Sequence, residues 1–139
     1  MKKLLTILAV CVIFTGCSQN KVNVYDLTQI GDREYYQGEL FTGVAVDFWS
    51  EDQVSDEYSY KDGMLDGLQK SWYQDGQLRA EFYLQTDKKH GEYRIWWENG
   101  QLAEEVNYKH DKLDGLARYW GEDGQLWEQT NYKDGITID

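Results

Sequence analysis

The glycines of this chain recur at a fixed interval. Gly43, Gly67, Gly91 and Gly115 stand 24 residues apart. Gly76, Gly100 and Gly124 keep the same spacing, and Asp52 stands where that series would begin. A period of this length marks a repeat protein, in which each copy is one supersecondary unit stacked on its neighbours. Function in such an array resides on an extended surface more often than in a single pocket.

One copy runs from Tyr60 to Leu84 as YKDGMLDGLQKSWYQDGQLRAEFYL. Asp75-Gly76, Asn99-Gly100 and Asp123-Gly124 each sit between runs of alternating polarity. Asp-Gly and Asn-Gly are strong hairpin signals, because a two-residue type I′ turn needs positive φ at both positions. A second set of turns joins the copies: Asp62-Gly63 and Asp134-Gly135, with Thr86-Asp87 and His110-Asp111 in the equivalent slots. Proline is absent, and the plentiful tyrosine and tryptophan favour strands. The predicted fold is all-β. It is an antiparallel meander of repeated hairpins in a single elongated, twisted sheet of about eight to ten strands.

A turn centred on residues 75 and 76 sets Lys70 opposite Glu81. The same rule sets Arg94 opposite Glu105 and Arg118 opposite Gln129. Opposite charges facing each other across strands contribute ~0.2–1 kcal/mol each, so the pairs support the register independently of the turns. Leu78, Ala80, Phe82 and Leu84 then alternate along one face, echoed by Leu102, Val106 and Tyr108 and by Val54, Tyr58 and Tyr60. The other face carries the ion pairs and the row Trp72, Trp96 and Trp120, with Phe48 in the first copy. Neither face is wholly polar, so the pattern leaves open which is more buried. Gly43, Gly67, Gly91 and Gly115 fall early in strands, where glycine marks a bulge or a close approach. Register makes Tyr58 the expected neighbour of Gly67.

The first residues form a separate unit. Met1-Lys2-Lys3 is a positive n-region, Leu4 to Phe14 an apolar h-region, and Thr15-Gly16 a small-residue site before Cys17. This is the layout of a bacterial secretory signal, and it is too short for a comfortable membrane span. Phe14-Thr15-Gly16-Cys17 resembles a lipobox. The resemblance implies removal of residues 1–16 and a diacylglycerol on Cys17, with Ser18 pointing to the outer membrane of a Gram-negative cell. Cys11 would leave with the signal, so Cys17 has no disulfide partner. Residues 17–34 are expected to be the lipidated N-terminus and tether, and residues 35–139 a domain of about four repeats.

The pattern Tyr60-Lys61-Asp62-Gly63-Met64-Leu65-Asp66-Gly67, followed by Asp75-Gly76-Gln77-Leu78-Arg79-Ala80-Glu81, resembles the MORN-repeat variant, often labelled the YwqK-like antitoxin family. Phe41-Thr42-Gly43 resembles the opening of its first copy. The resemblance implies a β-sheet module used for binding, and the expected role is that of a non-catalytic protein-interaction module. The antitoxin label implies neutralisation of a toxin, as an immunity-type protein if the chain faces the periplasm. Two departures stand out. Glu51-Asp52 replaces the Asn/Asp-Gly turn of the first copy, and Leu84 to His90 replaces the usual Tyr-Lys-Asp-Gly linker.

The formal charge of −11 becomes −13 once Lys2 and Lys3 are lost. An acidic surface repels phosphate backbones, which argues against nucleic acid. Glu57, Glu81 and Glu105 form a carboxylate ladder with members roughly 9–10 Å apart. Pairing with Lys70 and Arg94 lowers a carboxyl pKa, which unsuits it as a general acid. No enzyme, cofactor or metal is expected, since the only histidines, His90 and His110, lie in different linkers. The tryptophan row suits stacking on cell-wall sugars, but equally suits packing within the sheet. The expected role is a cell-envelope lipoprotein held by its lipid anchor. Two acyl chains hold a protein where one binds marginally. Cys17→Ser should therefore move the protein from the membrane pellet to the soluble fraction, and unchanged sedimentation would overturn lipidation at Cys17.

Overall fold

The computed structural model describes residues 21–138, so Cys17 and the signal lie outside the described residues. The strands are β1 (Lys21–Asn23), β2 (Thr28–Ile30), β3 (Arg33–Tyr36), β4 (Glu39–Leu40), β5 (Gly43–Ser50), β6 (Gln53–Lys61), β7 (Met64–Leu65) and β8 (Gly67–Trp72). They continue as β9 (Leu78–Gln85), β10 (Lys88–Trp96), β11 (Leu102–Lys109), β12 (Lys112–Leu113), β13 (Gly115–Trp120), β14 (Leu126–Lys133) and β15 (Ile136–Ile138). One open sheet runs in the order β1-β5-β6-β8-β9-β10-β11-β13-β14-β15, with β7 on β6 and β12 on β11. This is the expected antiparallel meander of hairpins, except that β1 joins its edge in parallel to β5.

A second sheet of three strands, β2-β3-β4, was not expected. From Lys21 on, the segment assigned to the tether is therefore mostly strand. The small sheet docks on the first repeat through backbone. Glu34 N–H donates to the Gly63 carbonyl at 2.9 Å, and Gly63 N–H donates to the Phe41 carbonyl at 2.8 Å. The Phe41 ring is buried between Tyr36 and Tyr60, at 6.1 and 5.5 Å.

The type I′ turns expected at the hairpin tips occur instead at the linkers. Positive φ at two successive residues, the type I′ pattern, occurs at the linkers Asp62-Gly63, Thr86-Asp87, His110-Asp111 and Asp134-Gly135. At the hairpin tips only Gly76, Gly100 and Gly124 have positive φ. Each tip is a three-residue loop: Gly76 N–H donates to the Tyr73 carbonyl at 2.9 Å, and Tyr73 N–H donates to the Gln77 carbonyl at 2.8 Å. Asp75 Oδ1 accepts the Gln77 N–H at 2.9 Å, and Asn99 and Asp123 repeat this bond. A side chain that accepts from the backbone two residues on favours this turn over type I′.

A three-residue loop displaces the register by one, and a β-bulge restores it. Trp72 pairs with Leu78 and Ser71 with Ala80, leaving Arg79 as the extra residue. Ala103 and Trp127 are the extra residues in the next copies. Beyond the bulge, Lys70 lies opposite Glu81, Arg94 opposite Glu105 and Arg118 opposite Gln129, as the sequence predicts. Leu78 and Leu102, however, move to the face of the ion pairs, opposite Trp72 and Trp96.

Successive copies are joined along both margins. At the tips, Trp49 Nε1 donates to the Trp72 carbonyl (2.9 Å), Tyr73 Oη to that of Trp96 (2.7 Å) and Trp97 Nε1 to that of Trp120 (3.1 Å). At the linkers, Asp87 Oδ1 accepts the Leu65 N–H and Asp111 Oδ1 the Lys89 N–H. The Asp87 and Asp111 N–H groups donate back to the Leu65 and Lys89 carbonyls. These reciprocal bonds hold Thr86 and His110 at positive φ, which a β-branched or bulky residue rarely adopts.

Gly67 has φ +111°, and a Cβ there would meet the Cβ of Ser59 at 3.1 Å. The close neighbour is thus Ser59, not Tyr58, because the bulge at Asp66 rotates the strand start: Asp66 N–H donates to the Ser59 carbonyl at 2.9 Å. Gly91 has φ +85° but open space around its Cβ position. Backbone strain of this kind costs ~1–3 kcal/mol. Gly67→Ala should therefore lower the denaturant midpoint more than Gly91→Ala; equal losses would rule out the Ser59 contact as the reason for glycine at 67.

Candidate functional site: the aromatic face and its groove

The faces are now distinguishable. Ala45, Gln69, Val106 and Ala117, each at most 2% exposed, all share the face of Tyr58, Phe82 and Tyr93. This aromatic face is the more buried one. Phe82 and Tyr93 rings lie 5.0 Å apart, and Tyr93 and Tyr108 5.8 Å apart. Lys89 Nζ sits over Tyr93 and Tyr108 at 4.6 and 4.8 Å from the ring centres, a cation–π arrangement.

The opposite face carries one continuous row: Glu57, Lys70, Glu81, Arg94, Glu105, Arg118 and Gln129. Arg94 reaches Glu81 (3.4 Å), Glu92 (2.8 Å) and Glu105 (3.2 Å), and Arg118 reaches Glu105 (2.9 Å) and Gln129 (3.1 Å). The ion pair expected between Lys70 and Glu81 does not form. Glu81 turns to Arg94, Glu57 turns to Lys21, and Lys70 has no ion-pair partner among the described residues. Each carboxylate of the ladder faces a cation, which suits scaffolding.

The tryptophan row is half-buried, with Trp72, Trp96 and Trp120 opposite Leu78, Leu102 and Leu126, while Phe48 is 38% exposed. The exposed aromatic rings lie off this row, at Tyr25, Trp49, Tyr83 and Trp127. The row's backbone carbonyls accept the bonds that join the copies, so its positions serve the array. His90 and His110 do meet, with ring centres 5.1 Å apart. No group of three or more metal-ligating side chains occurs among the described residues.

A groove of about 450 Å³ opens on the aromatic face over the second copy. Tyr58, Phe82, Tyr93 and Ile95 form its apolar walls, and Gln69, Ser71 and Ala80 line it where they are nearly buried. It exists because copies differ: Gln69 and Ser71 occupy the places that Tyr93 and Ile95 take in the next copy. Gln69 is turned into the backbone, where its amide donates to Ser59 and Gly67 carbonyls and accepts the Ser59 N–H, all at 3.1 Å. Asp56, Tyr73 and Arg79 supply the polar rim. Sequence periodicity misses Arg79, since plain alternation puts it on the other face. The bulge re-aims it so that Nε donates to Ser71 Oγ at 3.2 Å. The available signal is that its position differs in every copy, as Ser55, Arg79, Ala103 and Trp127.

The model of the family described as MORN repeat variant matches residues 65–85, 89–110 and 113–134. Each of these three consecutive segments matches one repeat of that variant. These repeats make up a repeat-based interaction module, and the groove lies at its first matched copy. The hairpin β5-β6 falls outside the matched segments but pairs in the same ladder register, Val46 with Glu57. Its tip has Glu51-Asp52 and a second irregularity at Trp49. No curated protein and no solved structure gives a match to this chain.

Glu104 marks a second feature of the aromatic face. It lies opposite Tyr119, and its carboxyl has no hydrogen bond or ion pair among the described residues. Burial raises its pKa, opposed by Lys89. A raised carboxyl pKa means the charged form is disfavoured in the fold. Stability is then fullest below the unfolded value and falls as pH rises through the window up to the folded value. Glu104→Gln should be more stable than the parent at neutral pH, with the gain vanishing near about pH 4, as the acid protonates in both states. Urea midpoints at the two pH values measure this, and no gain at neutral pH would overturn it.

Proposed function

We propose that this protein is a cell-envelope lipoprotein whose MORN-variant array binds another protein and has no catalytic role of its own. The lipobox-like Phe14-Thr15-Gly16-Cys17 supports the anchor, and Ser18 supports the outer membrane. The observation that carries the binding role is the groove over the second copy. On the ladder face every carboxylate of the row meets a cation, whereas the aromatic face presents Tyr58, Phe82 and Tyr93 around a cleft. Tyrosine-rich surfaces combine apolar area with a polar tip and little side-chain entropy to lose, the composition of protein-binding hot spots. The half-buried tryptophan row makes sugar stacking the weaker alternative.

Site-specific photo-crosslinking in intact envelopes tests the assignment. A crosslinker at Tyr93 should give one discrete adduct, and a crosslinker at Glu92 on the ladder face should not. A toxin in that adduct would make the module an immunity protein. Equal adducts from both positions, or retention on insoluble peptidoglycan that Trp96→Ala abolishes, would overturn the aromatic-face assignment.

A further inference from the structure

The rim of the groove contains an underused cation. Arg79 is the side chain that the second copy's bulge turns onto the aromatic face, and the equivalent residues Ser55, Ala103 and Trp127 bring no charge there. Its Nε is bonded to Ser71 Oγ at 3.2 Å. Its nearest acid is Asp56, whose Oδ1 stands 3.6 Å from Nη2, an ion pair without a hydrogen bond. Guanidinium has five N–H donors, and a planar pair of them matches a carboxylate. The Arg79 side chain is 45% exposed at the rim of the cleft. The phenols of Tyr58 and Tyr93 border the same opening. Burial raises the pKa of both, and Arg79 opposes the rise in each.

We propose that the groove is a carboxylate-binding subsite: it takes an aromatic or branched apolar side chain of a partner peptide between Phe82, Tyr93 and Ile95, with an adjacent carboxylate on Arg79. The commitment to a carboxylate follows from charge complementarity. Lys70 also borders the groove but stands in register with Glu81 in the ladder row, whereas Arg79 is bonded to the groove side chain Ser71, so Arg79 is the cation held at the aromatic face of the cleft. A ligand carboxylate would form the hydrogen bonds that Asp56 does not. Asp56 competes for the same guanidinium, so it weakens anionic ligands and sets a threshold against weak ones. This inference rests on the aromatic face being the binding face.

Titration of the detergent-solubilised full-length protein by NMR tests it with two probes that differ only in charge, N-acetyl-L-phenylalanine and its amide. The acid should shift resonances of the groove residues and bind at least about 5-fold tighter than the amide, the worth of one charge-assisted pair. Arg79→Gln should remove that preference, and Asp56→Asn should tighten the acid by about 3-fold or more while leaving the amide unchanged. Asp56→Asn keeps the test open should Arg79→Gln fail to fold. Equal binding of acid and amide, no binding of either, or shifts spread over the ladder face would overturn the carboxylate subsite. A Tyr93 crosslink to a protein partner would survive that result, and its absence alongside a bound acid would count against the partner assignment alone.

Discussion

The β-bulge behind each hairpin tip is the constraint from which the rest of the sheet follows. A three-residue tip closed by an Asx bond shifts pairing by one residue relative to a two-residue turn. Uncorrected, that slip would exchange the faces of a whole strand, because side chains alternate with a period of two. One extra residue at Arg79, Ala103 or Trp127 cancels the slip. Two layers of side chains result. On the tip side of the bulge, tryptophan faces leucine; beyond it, a cation faces a carboxylate at Lys70 and Arg94 and an amide at Arg118.

The continuity of the array depends on bonds that join one copy to the next. Trp49, Tyr73 and Trp97 each donate to a carbonyl of the following copy at the tip margin. At the linker margin the carboxylates of Asp87 and Asp111 accept the Leu65 and Lys89 N–H groups of the preceding copy boundary. Gly121 stands at the place of the next donor in the tip series, and the indole of Trp127 lies against it. The series therefore stops where β14 and β15 complete the sheet. At the other end the small sheet β2-β3-β4 covers the first repeat through Phe41.

A stack of identical repeats would present a uniform face, so individuality has to come from the positions that differ. The ladder varies little, and Arg94 and Arg118 are each shared between neighbouring strands. The aromatic face varies much more. Small or folded-back side chains at Gln69, Ser71 and Ala80 leave a cleft beside the large ones at Phe82, Tyr93 and Ile95. Shape and charge at this cleft arise from residues that lie off the repeat consensus, which is where a partner can tell this array from another.

Much of this architecture was legible in the chain. The 24-residue spacing, the Asp-Gly and Asn-Gly pairs and the charge pairs specify hairpins, their number and the register of Arg94 with Glu105, because hairpin pairing is local and each turn is encoded by adjacent residues. Turn type is not fixed by these pairs, since Asp and Asn favour both a type I′ turn and an Asx-closed turn with a left-handed glycine. The β2-β3-β4 sheet pairs locally, through two-residue turns at Gly31-Asp32 and Gln37-Gly38, but these fall outside the 24-residue period, and its docking at Gly63 is tertiary. Which face is buried, which acid Arg94 serves besides Glu105, and the turning of Arg79 into the groove were decided by the tertiary structure alone. The reason is geometric: alternation can be read along one strand, but a bulge and the stacking of copies become visible only once neighbouring strands are laid side by side.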